Sequence, residues 1–189
     1  MPIQSWKDYR EYLAADIKAH SIENPTIWHW MTLPVLRYQR RLRYVEYLYN
    51  CRKGRIWRLY VLFWRWRLQR MGVVMGFDIQ PNVFGPGLCI VHWGTIMVSP
   101  LARIGANCRI HPSTSIGQHK GAAPTIGDNV YVGPGAKLFG RITVGNRVTI
   151  GPNAVVYQSV PDDVTIVAAS SRVLPRPPKP KPQHAAPVE

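Results

Sequence analysis

Along the middle of the chain an aliphatic side chain returns at every sixth position: Val98, Ile104, Ile110 and Ile116, then, after an interruption over 118–125, Ile126, Val132, Leu138, Val144, Ile150 and Val156. The flanking positions keep the same step. Gly105, Gly117, Gly127, Gly133, Gly145 and Gly151 directly follow an aliphatic, and Ala102, Cys108, Thr114, Ala136 and Ala154 stand four places after one. A period of six is neither the 3.6 of a helix nor the 2 of a simple strand. It marks a stack of equivalent units instead. If six residues make one short strand and one corner, three such units close a triangular coil, and Ile126 lies on Val144, Val132 on Ile150 and Leu138 on Val156. The aliphatics then fill the prism, the small residues fit its corners, and glycine tolerates positive φ or crowding at the turns. The predicted class is mainly β, a parallel β-helix whose aliphatic ladder is core and carries no chemistry.

The N-terminal pattern is helical. Ser5 can cap a helix over 5–20, in which Trp6, Tyr9, Leu13 and Ile17 share a face. Asn24-Pro25 and Pro34 break the chain. A second helix is expected from Val35 to Asn50 and a third from Ile56 to Met71, with Gly54 and Gly72 as punctuation. Residues 73–97 then enter the solenoid through irregular coils, with His92 on an apolar strand. The segment 175–189 is rich in proline and charge with nothing to bury, as in a disordered tail. The expected layout is a helical domain at 1–72, the β-helix at 73–174 and the tail at 175–189.

Composition narrows the function classes. No apolar run in the 189 residues is long enough to span a bilayer, and no signal-peptide pattern opens the chain, so a cytoplasmic location is expected. Cys51, Cys89 and Cys108 lack metal-ligand spacing, which suits reduced thiols and no metal. The net charge of +14 is concentrated between Arg37 and Arg70, where Glu46 is the only acid, and it argues for an anionic partner or surface. The third helix, "IWRLYVLFWRWRLQR", admits two readings. Its aromatics pack on neighbouring helices while the arginines stay solvated, or its basic aromatic face makes peripheral contact with an anionic membrane, at the inner face. No nucleic-acid reading element accompanies the charge.

The segments "GFDIQPNVFGPGLCIVHWGTIMVSPLARIG" and "APTIGDNVYVGPGAKLFGRITVGNRVTIGPNAVV" resemble the hexapeptide-repeat acyltransferases, and within them the serine acetyltransferase branch with its relatives in polysaccharide gene clusters. The resemblance runs over roughly 5–174. It implies a left-handed β-helix with the helical region packed at one end, and a homotrimer that binds coenzyme A in the groove between adjacent prisms. His92 in "CIVHWGT" stands at the family's catalytic histidine, and an imidazole with a pKa of about 6.5 suits a base for a hydroxyl. Asp78 in "GFDIQP" stands at the aspartate that supports it. Gly117, Gln118, Pro134, Gly135 and Pro152 match the donor contacts, and Lys120, Lys137 and Arg172 offer cations for the cofactor's phosphates.

The serine-binding pattern departs from the family. Ala123 replaces a second active-site histidine, Val91 an aspartate beside the catalytic one, and Asn24 an aspartate of the helical region; the closing "GNPAK" appears as "AASSR". His119 is a candidate substitute from the same loop. The expected function is therefore an acetyl-CoA-dependent O-acetyltransferase acting by direct transfer on a serine or saccharide hydroxyl, with the saccharide favoured. The alternative is a catalytically silent trimeric scaffold or membrane-surface adaptor.

Overall fold

The computed structural model describes residues 2–169, so Arg172 and the expected tail at 175–189 lie outside the described residues. Four helices come first: α1 Trp6–Ala19, α2 Ile27–Thr32, α3 Pro34–Cys51 and α4 Arg55–Met75. Ser5 caps α1 by accepting the Asp8 N–H at 3.1 Å. The short α2 was not expected. Thr26 and His29 bracket its start with reciprocal hydrogen bonds, which stabilise a turn that apolar spacing alone does not signal. Pro34 opens α3 rather than merely breaking the chain, since the first helical position needs no donor.

The third expected helix runs past Met71 to Met75, and Gly72 is inside it. A Cβ at Gly72 would lie 2.6 Å from the Phe77 carbonyl oxygen, so glycine there permits close packing and does not end the helix. Gly76 ends it, in the left-handed region at φ +79°.

A parallel β-solenoid of short strands follows. One face carries β1 Phe77–Ile79, β3 Ile96–Val98, β6 Thr114–Gly117, β9 Lys137–Phe139 and β12 Val155–Val156. The second carries β2 Cys89–Ile90, β5 Arg109–Ile110, β8 Tyr131–Val132, β11 Thr149–Ile150 and β13 Thr165–Ile166, and the third β4 Arg103–Ile104, β7 Thr125–Ile126 and β10 Thr143–Val144. The expected stacking is present: Ile126 pairs with Val144, Val132 with Ile150 and Leu138 with Val156, all in parallel. None of the ten ladder aliphatics is more than 5% exposed. Ile104 also pairs with Ile126, a coil longer than the one from Ile126 to Val144. The extra residues form a tight hairpin in which His119 and Ala122 exchange backbone hydrogen bonds around Lys120 and Gly121, both at positive φ.

The repeat glycines act through crowding. A Cβ at Gly127 would sit 2.9 Å from the Gly145 carbonyl group. Asn107, Asn129, Arg147 and Asp163 provide the positive φ instead, at the corners before the second face.

The helices close the first coil through buried polar side chains. Arg43 Nε and Nη2 donate to Asp16 at 2.9 and 3.1 Å, and Nη1 donates to Glu46 at 3.0 Å. The same guanidinium donates to the carbonyls of Phe84 at 2.9 Å and Gly85 at 2.6 Å. Asp16 accepts the Leu88 N–H, Glu46 accepts the Asn82 N–H, and Gln39 Nε2 donates to the Leu88 carbonyl. Burial by itself would lower the Arg43 pKa, but the charges of Asp16 and Glu46 and their hydrogen bonds outweigh it and hold the group above its ordinary value.

Arg43→Met leaves two buried carboxylates uncompensated and should cost about 3–5 kcal/mol, read as a lower urea midpoint. His20, whose Nε2 donates to Gln39 at 2.8 Å, has its pKa lowered by burial. The unfolded chain therefore takes up this proton first, and stability should fall as pH drops below about 6.5 toward the lower folded value. His20→Asn should flatten that part of a urea-midpoint profile against pH.

Candidate active site

Register along the second face fixes one edge of the prism. Ile90 pairs with Ile110, Ile110 with Val132 and Val132 with Ile150. His92, Pro112, Pro134 and Pro152 each stand two residues beyond a member of that column and share one edge. His92 is not on a strand, as the sequence suggested, but in the bend between β2 and β3. The Val91 N–H still bonds to the Ile110 carbonyl at 3.1 Å, and the chain then turns through Gly94, at φ +136°, into β3. The turn leaves the His92 side chain exposed and without a hydrogen bond among the described residues.

A second imidazole stands close by. His111 is half-buried one coil further on, with its ring 5.1 Å from that of Tyr131. Its Nε2 is buried and has no hydrogen-bond partner among the described residues. Burial lowers its pKa most, followed by the charges of Arg109 and His92. Sequence reasoning missed His111 because it follows a ladder aliphatic. Stepping from Ile90 to its partner Ile110 puts His111 in the slot of Val91, directly above the residue before His92.

Asp78 is exposed on β1, opposite Met97. Its carboxylate accepts from Gln80 Nε2 at 3.3 Å, and among the described residues no hydrogen bond joins it to His92. It lines a cavity of about 180 Å³ with Tyr38, Arg65, Gln69 and Gln80, between α4 and β1. Burial, then the Asp78 charge, raises the Tyr38 pKa well above the ordinary phenol value.

The expected donor residues divide between two edges of one face. Pro134, Gly135 and Pro152 share the edge of His92. Gly135 has φ +76°, its N–H bonds to the Pro112 carbonyl at 3.1 Å, and a Cβ there would fall 2.0 Å from Asn153 Oδ1. Gly117, paired with Phe139, and Gln118, which accepts from Ser99 Oγ at 3.4 Å, lie at the far edge, next to the hairpin that carries His119 and Lys120. Lys137 is on β9 between the edges, with Nζ donating to the Ser113 carbonyl. Of the acceptor-side positions, Val91 is half-buried beside His92, Ala123 packs against the core, and Asn24 is exposed. The face between the edges is apolar in part: Met97, Phe139, Val155 and Tyr157 are exposed, and the rings of Phe139 and Tyr157 stack at 6.4 Å.

Comparison with known proteins bears on the fold and its relatives. The family model for the bacterial transferase hexapeptide (six repeats) matches residues 123–158. Residues 123–158 thus resemble the hexapeptide repeats of bacterial transferases, and the relatives this chain is similar to are serine acetyltransferases. The serine acetyltransferase of Synechococcus elongatus is 35% identical over 107 residues, 54% of this chain and 44% of the relative. That of Helicobacter pylori strain J99 is 35% identical over 106 residues, 53% of this chain and 62% of the relative. A Brucella abortus serine acetyltransferase solved in complex with coenzyme A is 25% identical, with a TM-score of 0.70 over 88% of this chain and 68% of that one. The hexapeptide-repeat chain thus spans about half the length of the curated relatives it matches.

Proposed function

We propose that this chain is an acetyl-CoA-dependent O-acetyltransferase, working in the cytoplasm as a homotrimer, with His92 as general base. The observation that carries the reading is the exposed, unbonded imidazole on the prism edge that also holds Pro134, Gly135 and Pro152. In the proposed reaction His92 takes the proton of the acceptor hydroxyl as its oxygen attacks the thioester carbonyl. The new C–O bond forms, main-chain N–H groups near the groove stabilise the tetrahedral oxyanion, and the C–S bond breaks. The leaving thiolate recovers the proton from the imidazolium. Asp78, on the same first coil, is the residue proposed to support the histidine. No nucleophilic side chain takes part, so no acyl-enzyme forms. Gly117, Gln118, Lys120, Lys137 and Arg172 complete the donor site from the neighbouring prism, and the exposed apolar face of Met97, Val155 and Tyr157 supports packing between prisms.

A saccharide hydroxyl is the favoured acceptor, since Val91, Ala123 and Asn24 offer no charge to hold a free amino acid. The polar cavity beside Asp78, with its guanidinium, amides and phenol, suits a polyhydroxylated group. A saccharide carried on a lipid would bring the enzyme to the inner face of the membrane. The missing Asp78–His92 bond favours the silent scaffold as a second reading.

Thiol release from acetyl-CoA with serine, nucleotide sugars and oligosaccharides separates these possibilities, and release above background with a saccharide is expected. His92→Ala should lower kcat by about 10²–10⁴ with the fold intact; near-wild-type turnover would remove the mechanism, and silence with every acceptor would favour the scaffold. Sedimentation should give a trimer mass, and a monomer would contradict the shared groove.

A further inference from the structure

We propose that α4 docks an uncovered apolar stripe onto an anionic phospholipid bilayer surface. This goes beyond the acyl-transfer reading and stands or falls separately from it. At 100° per residue α4 carries two apolar stripes on opposite sides. Val61, Leu68, Gly72 and Met75 form the inner one and are buried toward α3 and the solenoid. Ile56, Leu59, Leu62, Trp66, Val73 and Val74 form the outer one, and each is at least 54% exposed. The outer stripe extends for about 27 Å, at a rise of about 1.5 Å per residue.

Arginines border the stripe on both sides. Arg58 and Arg65 flank one side and Arg67 the other, while Arg55 and Arg70 fall within its arc, Arg70 stacked on Trp66 at 5.7 Å. Between Glu23 and Asp78 the only acid is Glu46, which is buried and bound to Arg43. Arginine stems can lie along the apolar surface while the guanidinium groups reach phosphates. An anionic bilayer supplies both the apolar layer and the missing counter-charge. A second copy of this chain would supply only the first, because a twofold contact places the same unpaired arginines against one another. No described helix is long and apolar enough to cross a membrane, which is consistent with docking flat on the surface.

The test is co-sedimentation of the full chain at low salt with vesicles of phosphatidylcholine alone or mixed with phosphatidylglycerol. Partition into the anionic vesicles is expected, weakened by added salt. The combined change Ile56→Ser, Leu59→Ser and Leu62→Ser, at exposed positions, should reduce that partition by at least about tenfold with circular dichroism and thiol release unchanged. Three results would overturn the proposal: no binding to anionic vesicles, equal binding by the triple variant, or a larger wild-type oligomer that the triple variant dissolves without any vesicle binding.

Discussion

A stack of parallel strands ends on backbone groups that the stack itself cannot satisfy, and the way this chain meets that constraint determines the rest of its structure. At the first coil the N–H groups of Asn82, Leu88 and Ile90 and the carbonyls of Phe84, Gly85 and Leu88 face the helices and bond to Asp16, Gln39, Arg43 and Glu46. A buried unsatisfied group costs about 1–3 kcal/mol, so these six together rival the 5–15 kcal/mol net stability of a typical domain. Arg43 would be a poor choice without full pairing, because removing an ion from water costs several kcal/mol. Here all five of its N–H donors are used, two on Asp16, one on Glu46 and two on carbonyls. The helical segment is therefore the end cap of the solenoid as well as an attachment to it.

The site inherits its precision from this closure. Both Asp78 and His92 belong to the first coil, the one whose lower side has no strand beneath it. The edge slot that His92 occupies holds proline in the next three coils, at 112, 134 and 152. Proline has no N–H to donate, so the slot makes no demand on the backbone donor. A histidine can stand there without cost to the ladder, and the corner geometry that three prolines fix presents its ring to solvent. The nearby His111 differs in being partly enclosed by the fold, which leaves its Nε2 without a partner among the described residues and its pKa lowered.

The ladder was legible in the sequence because its cause is strictly periodic: one aliphatic per strand, every sixth residue, with the coil-to-coil stacking following from arithmetic. His92 and Asp78 were singled out through motif resemblance alone, and the resemblance could not show that β2 ends before His92. Arg43 was not legible. It is one of many arginines between 37 and 70, and only three-dimensional packing sets it apart as the buried one. Gly72 misled for a related reason. Glycine breaks a helix when the backbone needs positive φ, but it also lets a helix pass close to a carbonyl, and the sequence does not distinguish the two. The charge run reaching α4 argued for an anionic partner, whereas the division of the helix's apolar residues into a packed stripe and a bare one required the position of α3.

These features meet at Arg65. It borders the bare stripe of α4 and also lines the polar cavity with Asp78, Gln69 and Gln80. Because α4 ends directly at β1, any surface that holds the helix also holds the first coil, with no flexible linker between them. A helix laid flat on a bilayer would then keep that cavity within a few side-chain lengths of the headgroups. An acceptor tethered to lipid would be presented at a fixed height instead of having to find the site by free diffusion in three dimensions. The direct junction of α4 with β1 would in this way also set the distance between the membrane and the imidazole.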